Sequence, residues 1–127
     1  MPSSKSNSGR KATKTDIGRR YEQQAALFFE RGGFKVLARN WRAGRKEIDL
    51  IVRKGDVVAF VEVKAALSTR WGHPAEKVDR KKQTHLTEAA RRFIDDNKIA
   101  GVDLRFDVVT FTGGKLEHYP NAFEAIE

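Results

Sequence analysis

The segment from Lys46 to Lys64, KEIDLIVRKGDVVAFVEVK, constrains this chain more than any other. Two apolar runs flank Lys54-Gly55-Asp56, and Gly-Asp is the chemistry of a tight hairpin turn. The runs therefore read as paired strands, Glu47–Arg53 and Val57–Ala66. Asp49 interrupts the first, and Glu62 and Lys64 interrupt the second. An unpaired charge buried in a strand costs several kcal/mol, so charges in such places call for a partner or a use.

Side chains alternate along a strand, which puts Glu47, Asp49 and Ile51 on one face and Ile48, Leu50 and Val52 on the other. Glu62 and Lys64 share a face with Phe60. A two-residue turn at Gly55-Asp56 sets Asp49 opposite Glu62 and Glu47 opposite Lys64, at Cβ separations of about 4.5–5.5 Å. A slip of one residue would undo this clustering. Facing carboxylates repel unless a cation lies between them or one is protonated. Mg²⁺ takes hard oxygen ligands and keeps several waters. Held by Asp49 and Glu62, it would polarise a phosphodiester and lower the pKa of a bound water. Lys64 is placed to orient that water or to stabilise charge on phosphate oxygens. A competing reading makes Glu47–Lys64 an ordinary ion pair and leaves Asp49 and Glu62 facing solvent, as on the wet face of an antiparallel sheet. The apolar density of Leu50-Ile51-Val52 and Val57–Val61 speaks for burial instead.

The rest of the chain supplies elements to pack on this hairpin. Asp16 suits the N-cap of a helix from Ile17 to about Arg31, with Gly32-Gly33 as its stop. Ile17, Tyr21, Ala25 and Phe28 recur at helical spacing as its predicted buried stripe. Glu22 falls about a quarter-turn from the centre of that stripe, where it can reach a neighbouring cleft. Phe34–Arg42 is a predicted strand, followed by the turn Ala43-Gly44-Arg45. Ser68–Pro74 is a predicted loop containing Trp71 and His73. A second helix, about Ala75 to Asn97, carries Val78, Leu86, Ala89, Ala90, Phe93 and Ile94 on its apolar face. Lys82 falls near the middle of that face. It either snorkels to water or directs its amine to a phosphate. Arg80, Lys81, Gln83 and His85 would widen the basic surface. Asp103–Phe111 is a further strand, and Gly113-Gly114 turns it into a short one, Lys115–Tyr119. Asp107 breaks the apolar run of its strand, either to buttress the site or to pair with Arg105. The order helix, three strands, helix, strand implies an α/β fold, a mixed sheet with helices packed on it. Residues 16–127 form one domain, and residues 1–15 read as a disordered basic arm.

Composition narrows the chemistry. The chain has no cysteine, which excludes disulfides, thiolate-bound zinc and thiol catalysis. His73, His85 and His118 lack metal-ligand spacing, Ser68 and Thr69 have no local catalytic partner, and no glycine-rich phosphate loop occurs. No apolar run approaches the roughly 18 residues of a membrane span. Without the apolar core of a signal peptide, a cytoplasmic location is expected. The net charge of +8 favours a polyanionic partner, above all nucleic acid. Trp41 and Trp71 are candidates either for base stacking or for packing at the core's rim.

Glu22 on a helix, EIDLI at 47–51, FVEVK at 60–64, Lys82-Gln83 and RFDVV at 105–109 together resemble the bacterial YraN family. Those proteins are similar to archaeal Holliday-junction resolvases, within the PD-(D/E)XK nuclease superfamily. The resemblance spans about Ile17 to Phe123. It implies a restriction-endonuclease-like fold and Mg²⁺- or Mn²⁺-dependent cleavage of DNA, branched or damaged, by a homodimer. It places the motif Asp at Asp49, the E-x-K at Glu62 and Lys64, and the helical Glu at Glu22. Lys81, Lys82, Gln83 and Arg45 become the candidate DNA contacts. Lys46 stands where the family usually has glycine, and Ala66 where a basic residue commonly follows the E-x-K strand. A binding module that keeps the fold without catalysis is the alternative.

Overall fold

The computed structural model describes residues 14–66 and 78–126. Helix α1 spans Lys14–Arg31 and is followed by β1 (Lys35–Ala43), β2 (Lys46–Lys54) and β3 (Val57–Ala66). Helix α2 (Arg80–Asp96), β4 (Asp103–Thr112) and β5 (Lys115–Phe123) complete the chain. The strands form one five-stranded sheet in the order β1-β2-β3-β4-β5. β1, β2 and β3 make an antiparallel meander, β3 and β4 run parallel, and β4 and β5 are antiparallel. A parallel pair needs a long crossover, and α2 lies within it.

Each helix covers one face of the sheet. Ala25, Ala26 and Phe29 of α1 pack on Leu50, Val52, Ala59, Val61, Val109 and Phe111. Leu86, Ala89, Ala90 and Phe93 of α2 pack on Ile48, Ile51, Val58, Phe60, Phe106 and Val108. The strands between them are buried on both sides and read as near-continuous apolar runs. Trp41 meets Phe93 edge-on at 5.3 Å, so its ring serves packing. The expected loop Ser68–Pro74 with Trp71 and His73 lies outside the described residues, as do residues 1–13 of the expected arm, whereas Lys14 and Thr15 of that arm belong to α1.

Several expectations change. Asp16 sits inside α1, because the helix already begins at Lys14. The predicted stripe of α1 holds at Tyr21 and Ala25 but not at Ile17 and Phe28. Ala25 and Ala26 are 0% exposed, whereas Ile17 and Phe28 are 42% and 38% exposed. The two small residues let the helix approach the sheet closely, and Phe29 fills the space beside them. α2 starts later than Ala75, at Arg80, because the Asp79 carboxylate accepts the Lys82 N–H at 2.8 Å as an N-cap. The last strand runs on to Phe123 rather than ending at Tyr119. The stop of α1 is as expected: Gly33 has φ +90°, and Phe34 N–H donates to Phe29 C=O at 2.9 Å.

Asp107 explains the length of β5. The β4–β5 register shifts between Phe106 and Val108, and Asn121 in the irregular stretch has φ +53°. The buried Asp107 carboxylate spans this gap. It accepts Asn121 N–H at 3.0 Å and both Arg105 Nε and Nη2, at 2.8 and 2.9 Å. His118 Nε2 lies 2.7 Å from Oδ2, the oxygen that Arg105 Nη2 also reaches. Burial alone would raise the pKa of Asp107, but the hydrogen bonds from His118, Arg105 and Asn121 hold it below the usual carboxylate range. Asp107 therefore braces β5 through Arg105 and His118 and takes no part in the carboxylate pair on the hairpin.

Removing one member of a buried charged cluster strands the others. Asp107→Ala is expected to lower stability by about 3 kcal/mol in urea unfolding at pH 7. Leu104→Ser, at a position 36% exposed, should change it by less than about 0.5 kcal/mol. Because the pKa of Asp107 is depressed, its contribution is present above the ordinary carboxylate pKa and is lost as the pH falls through the lower folded value. The difference between Asp107→Ala and the wild-type chain should therefore shrink in acid.

Candidate functional site

The hairpin has the register expected from its turn, but only over part of its length. β2 pairs with β3 from Lys54–Val57 to Leu50–Val61, and the ladder stops there. Beyond that point the strands diverge. Asp49 and Glu62 are therefore not a ladder pair as expected. Instead the Val63 N–H donates to Asp49 Oδ2 at 2.9 Å. A side-chain carboxylate takes the place of a strand carbonyl.

The alternation of β2 breaks at the same residue. Ile48 packs with Ile51 on the α2 side, while Leu50 and Val52 pack on the α1 side. The expected grouping of Ile48 with Leu50 and Val52 is thus corrected. β1 mirrors the irregularity: Asn40, opposite this stretch, has φ +48°. Asn tolerates the left-handed region better than most residues, and its low strand propensity within FKVLARNWR was the available signal for a break there.

Glu62 stays close to Asp49 despite the splay. Burial raises the pKa of Asp49 to about 7, and the neighbouring Glu62 carboxylate adds to the rise. The Val63 N–H and the Lys82 ammonium pull it down, without offsetting those effects. Glu62 is nearly enclosed, with 11% of its side chain exposed, and Lys82 Nζ stands 3.5 Å from its Oε2. Lys64 follows two residues later on the same face of β3 and is half-buried. Glu47 pairs with Arg42 at 3.7 Å on the solvent side.

Glu22 arrives from α1, on the opposite side of the sheet from Lys82. Burial raises its pKa, the Asp49 carboxylate raises it further, and a hydrogen bond from Asn40 opposes the rise. Glu22, Asn40, Glu47, Arg42, Arg19 and Gly18 line a polar recess of about 370 Å³. Asn40, Arg19 and Arg42 were not singled out in the sequence, and the recess shows their place. Asp49 is thus reached by Glu22 from one helix and by Lys82 from the other.

The remaining candidates lie at the margins. Lys81 is exposed in the first turn of α2, and Arg45 is exposed in the β1–β2 turn. Gln83 donates its amide to the Val78 carbonyl at 2.9 Å, which braces the start of α2. Among the described residues no group of three or more His, Cys, Asp or Glu could hold a metal ion. The donor set that would hold one is the pair Asp49 and Glu62. Two neighbouring carboxylates, one of them made hard to ionise by burial and by the other's charge, fit a hard divalent cation that draws further ligands from water or phosphate.

The family model described as uncharacterised protein family UPF0102 matches residues 21–111. This chain belongs to that family. It is the YraN family of the sequence resemblance. A UPF0102 protein of Chloroherpeton thalassium is 48% identical over 97 residues, covering 76% of this chain and 75% of its own. One from Klebsiella pneumoniae is 39% identical over 125 residues, covering 97% and 96%. One from Sulfurihydrogenibium is 38% identical over 110 residues, covering 87% and 96%. Glu22, Asp49, Glu62, Lys64 and Lys82 all fall within the span matched by the UPF0102 family model.

A carboxyl group with a raised pKa makes the folded UPF0102 chain hold a proton that the unfolded chain has released. Between the ordinary Asp value of 3.8 and about 7, stability should therefore fall as the pH rises. Asp49→Asn removes this charge and keeps an acceptor for Val63 N–H. Thermal unfolding should show it more stable than wild type by about 2 kcal/mol at pH 8, with the advantage gone near pH 4.

Proposed function

We propose that this UPF0102 protein is a metal-dependent endonuclease that hydrolyses DNA phosphodiester bonds, with branched or damaged DNA as the substrate class. The observation that carries the reading is the Asp49–Glu62 carboxylate pair at the splayed end of β2 and β3, with Lys64 two residues beyond Glu62. An α/β sheet with one helix on each face and an Asp followed by E-x-K on neighbouring strands agrees with a restriction-endonuclease-like fold.

In this reading Asp49 and Glu62 hold Mg²⁺ or Mn²⁺. Bound there, the ion would polarise the phosphate and lower the pKa of a water. Lys64 orients the attacking water and offsets charge on the phosphate oxygens. Glu22 closes the α1 side of the site and Asn40 holds it in place. Lys82, Lys81 and Arg45 contact the backbone of the DNA, for which the net charge of +8 supplies long-range attraction. A homodimer would bring two such sites to the two strands of a junction, and the cytoplasm is the location that fits a DNA substrate.

One observation favours a second reading, a nuclease-fold DNA-binding module without catalysis. Lys82 already neutralises Glu62, so the carboxylates have a cation without any metal.

Cleavage of supercoiled, single-stranded and four-way-junction DNA with Mg²⁺ or Mn²⁺ separates the readings. Wild type should cut at least one of these substrates, and Asp49→Ala and Lys64→Ala should each lose about 100-fold or more. Equal cutting by all three proteins would assign the activity to a contaminant and overturn the proposal. DNA binding that falls linearly with log salt, without cutting by wild type, selects the binding module.

A further inference from the structure

Lys82 holds an unusual place for a lysine near a carboxylate pair. Its backbone is fixed at both sides: its own N–H donates to Asp79 Oδ1 at 2.8 Å, and the next residue, Gln83, is tied to the Val78 carbonyl. Its stem is not held in the same way. The side chain is 44% exposed, while its partner Glu62 is 11% exposed on the central strand β3. The acid is fixed and the base can leave.

The contact itself is loose. Nζ stands 3.5 Å from Glu62 Oε2, beyond the roughly 2.7–2.9 Å of a strong charge-assisted hydrogen bond. By comparison Lys46 Nζ, from β2, reaches Glu88 Oε2 on α2 at 3.0 Å. A lysine ammonium is a compact point charge without the fork that locks arginine on a carboxylate. The ammonium also acts on Asp49, so one monovalent cation serves two carboxylates. Among the described residues, Glu22 from α1 and Glu47 from β2 also act on the pair, and Lys64 follows Glu62 on the same face of β3.

We propose that Lys82 is a displaceable counter-cation of the Asp49–Glu62 pair, so that a divalent ion and a nucleic-acid phosphate bind this chain cooperatively. The inference rests on the metal-dependent nuclease reading above. A divalent ion between the carboxylates repels the ammonium and satisfies Glu62 in its place. The released ammonium, anchored in the first turn of α2, is then free for a phosphate at the mouth of the site. In the other direction, a phosphate that draws Lys82 outward leaves Glu62 without its cation and raises the affinity for the metal. Linkage makes the two effects equal in size. Lys82 is in this sense a positioning residue, which offsets part of the site's negative charge when substrate is absent and opens it when substrate arrives.

Lys82→Gln keeps the length of the stem and removes the charge. Titration of the metal-free protein with Mn²⁺ by calorimetry should show binding about five-fold tighter than wild type, the scale of a partly exposed ion pair. Lys98→Gln, which removes the same charge just beyond the far end of α2, should stay within about two-fold of wild type. Fluorescence anisotropy with a short duplex gives a second readout: the gain in duplex affinity produced by Mn²⁺ should be smaller in Lys82→Gln than in wild type. Mn²⁺ binding by Lys82→Gln that equals or falls below wild type, or a Lys98→Gln effect of the same size, overturns the inference and leaves the metal reading standing. An undiminished Mn²⁺ gain in Lys82→Gln also overturns it. Absence of Mn²⁺ binding by wild type and Lys82→Gln alike removes both.

Discussion

The hydrogen bond from Val63 N–H to Asp49 Oδ2 organises the functional end of this molecule. An antiparallel ladder would satisfy Val63 with a carbonyl of the neighbouring strand. Here a side chain does so, and two consequences follow. The β2–β3 ladder ends at Leu50–Val61, which leaves Lys46–Asp49 of β2 and the end of β3 beyond Val61 unpaired with each other. The carboxylate is held at this unpaired end, beside Glu62 and away from bulk water, and its pKa rises to about 7. Splay, burial and like-charge proximity thus share one cause.

The same fold holds a second partly or wholly buried carboxylate in the opposite condition. Asp107 has Arg105, His118 and the Asn121 N–H as partners, and its pKa is depressed. Its surroundings favour the charged form, which is the mark of a structural brace. Asp49 has one backbone N–H, an ammonium that it shares with Glu62, and a neighbouring carboxylate. Its surroundings disfavour the charge that the sequence nonetheless puts there. Strongly perturbed acids are more often functional than satisfied ones, and Glu22, which acts on Asp49, lines the polar recess. The contrast between these two aspartates, each set in an apolar strand, carries more weight than the position of either alone. Membership of UPF0102 puts both within one matched span and leaves their chemistry to be read from the structure.

Local rules made much of this legible. Gly55-Asp56 fixed the hairpin register because a two-residue turn leaves little freedom, and Leu50–Val61 to Lys54–Val57 pair accordingly. The apolar face of α2 was legible because Leu86, Ala89, Ala90 and Phe93 recur at helical spacing. What escaped depended on contacts distant in sequence. The ladder stops because a residue on β2 captures an N–H on β3, and no periodicity encodes that choice. On α1 the predicted Ala25 is buried, but Ala26 and Phe29 complete the face against the sheet in place of Ile17 and Phe28. β5 passes Pro120 because Asp107, on the adjacent strand, bridges the irregular stretch.

At the centre of this reading is the claim that the splayed strands form a two-carboxylate seat for a divalent ion. A crystal grown with Mn²⁺ and measured at a wavelength sensitive to manganese tests it most directly. An anomalous peak within coordination distance of both Asp49 and Glu62, with β2 and β3 still parted beyond Leu50 and Val61, is the predicted result. No peak at that position, with the two carboxylates turned apart, would contradict it.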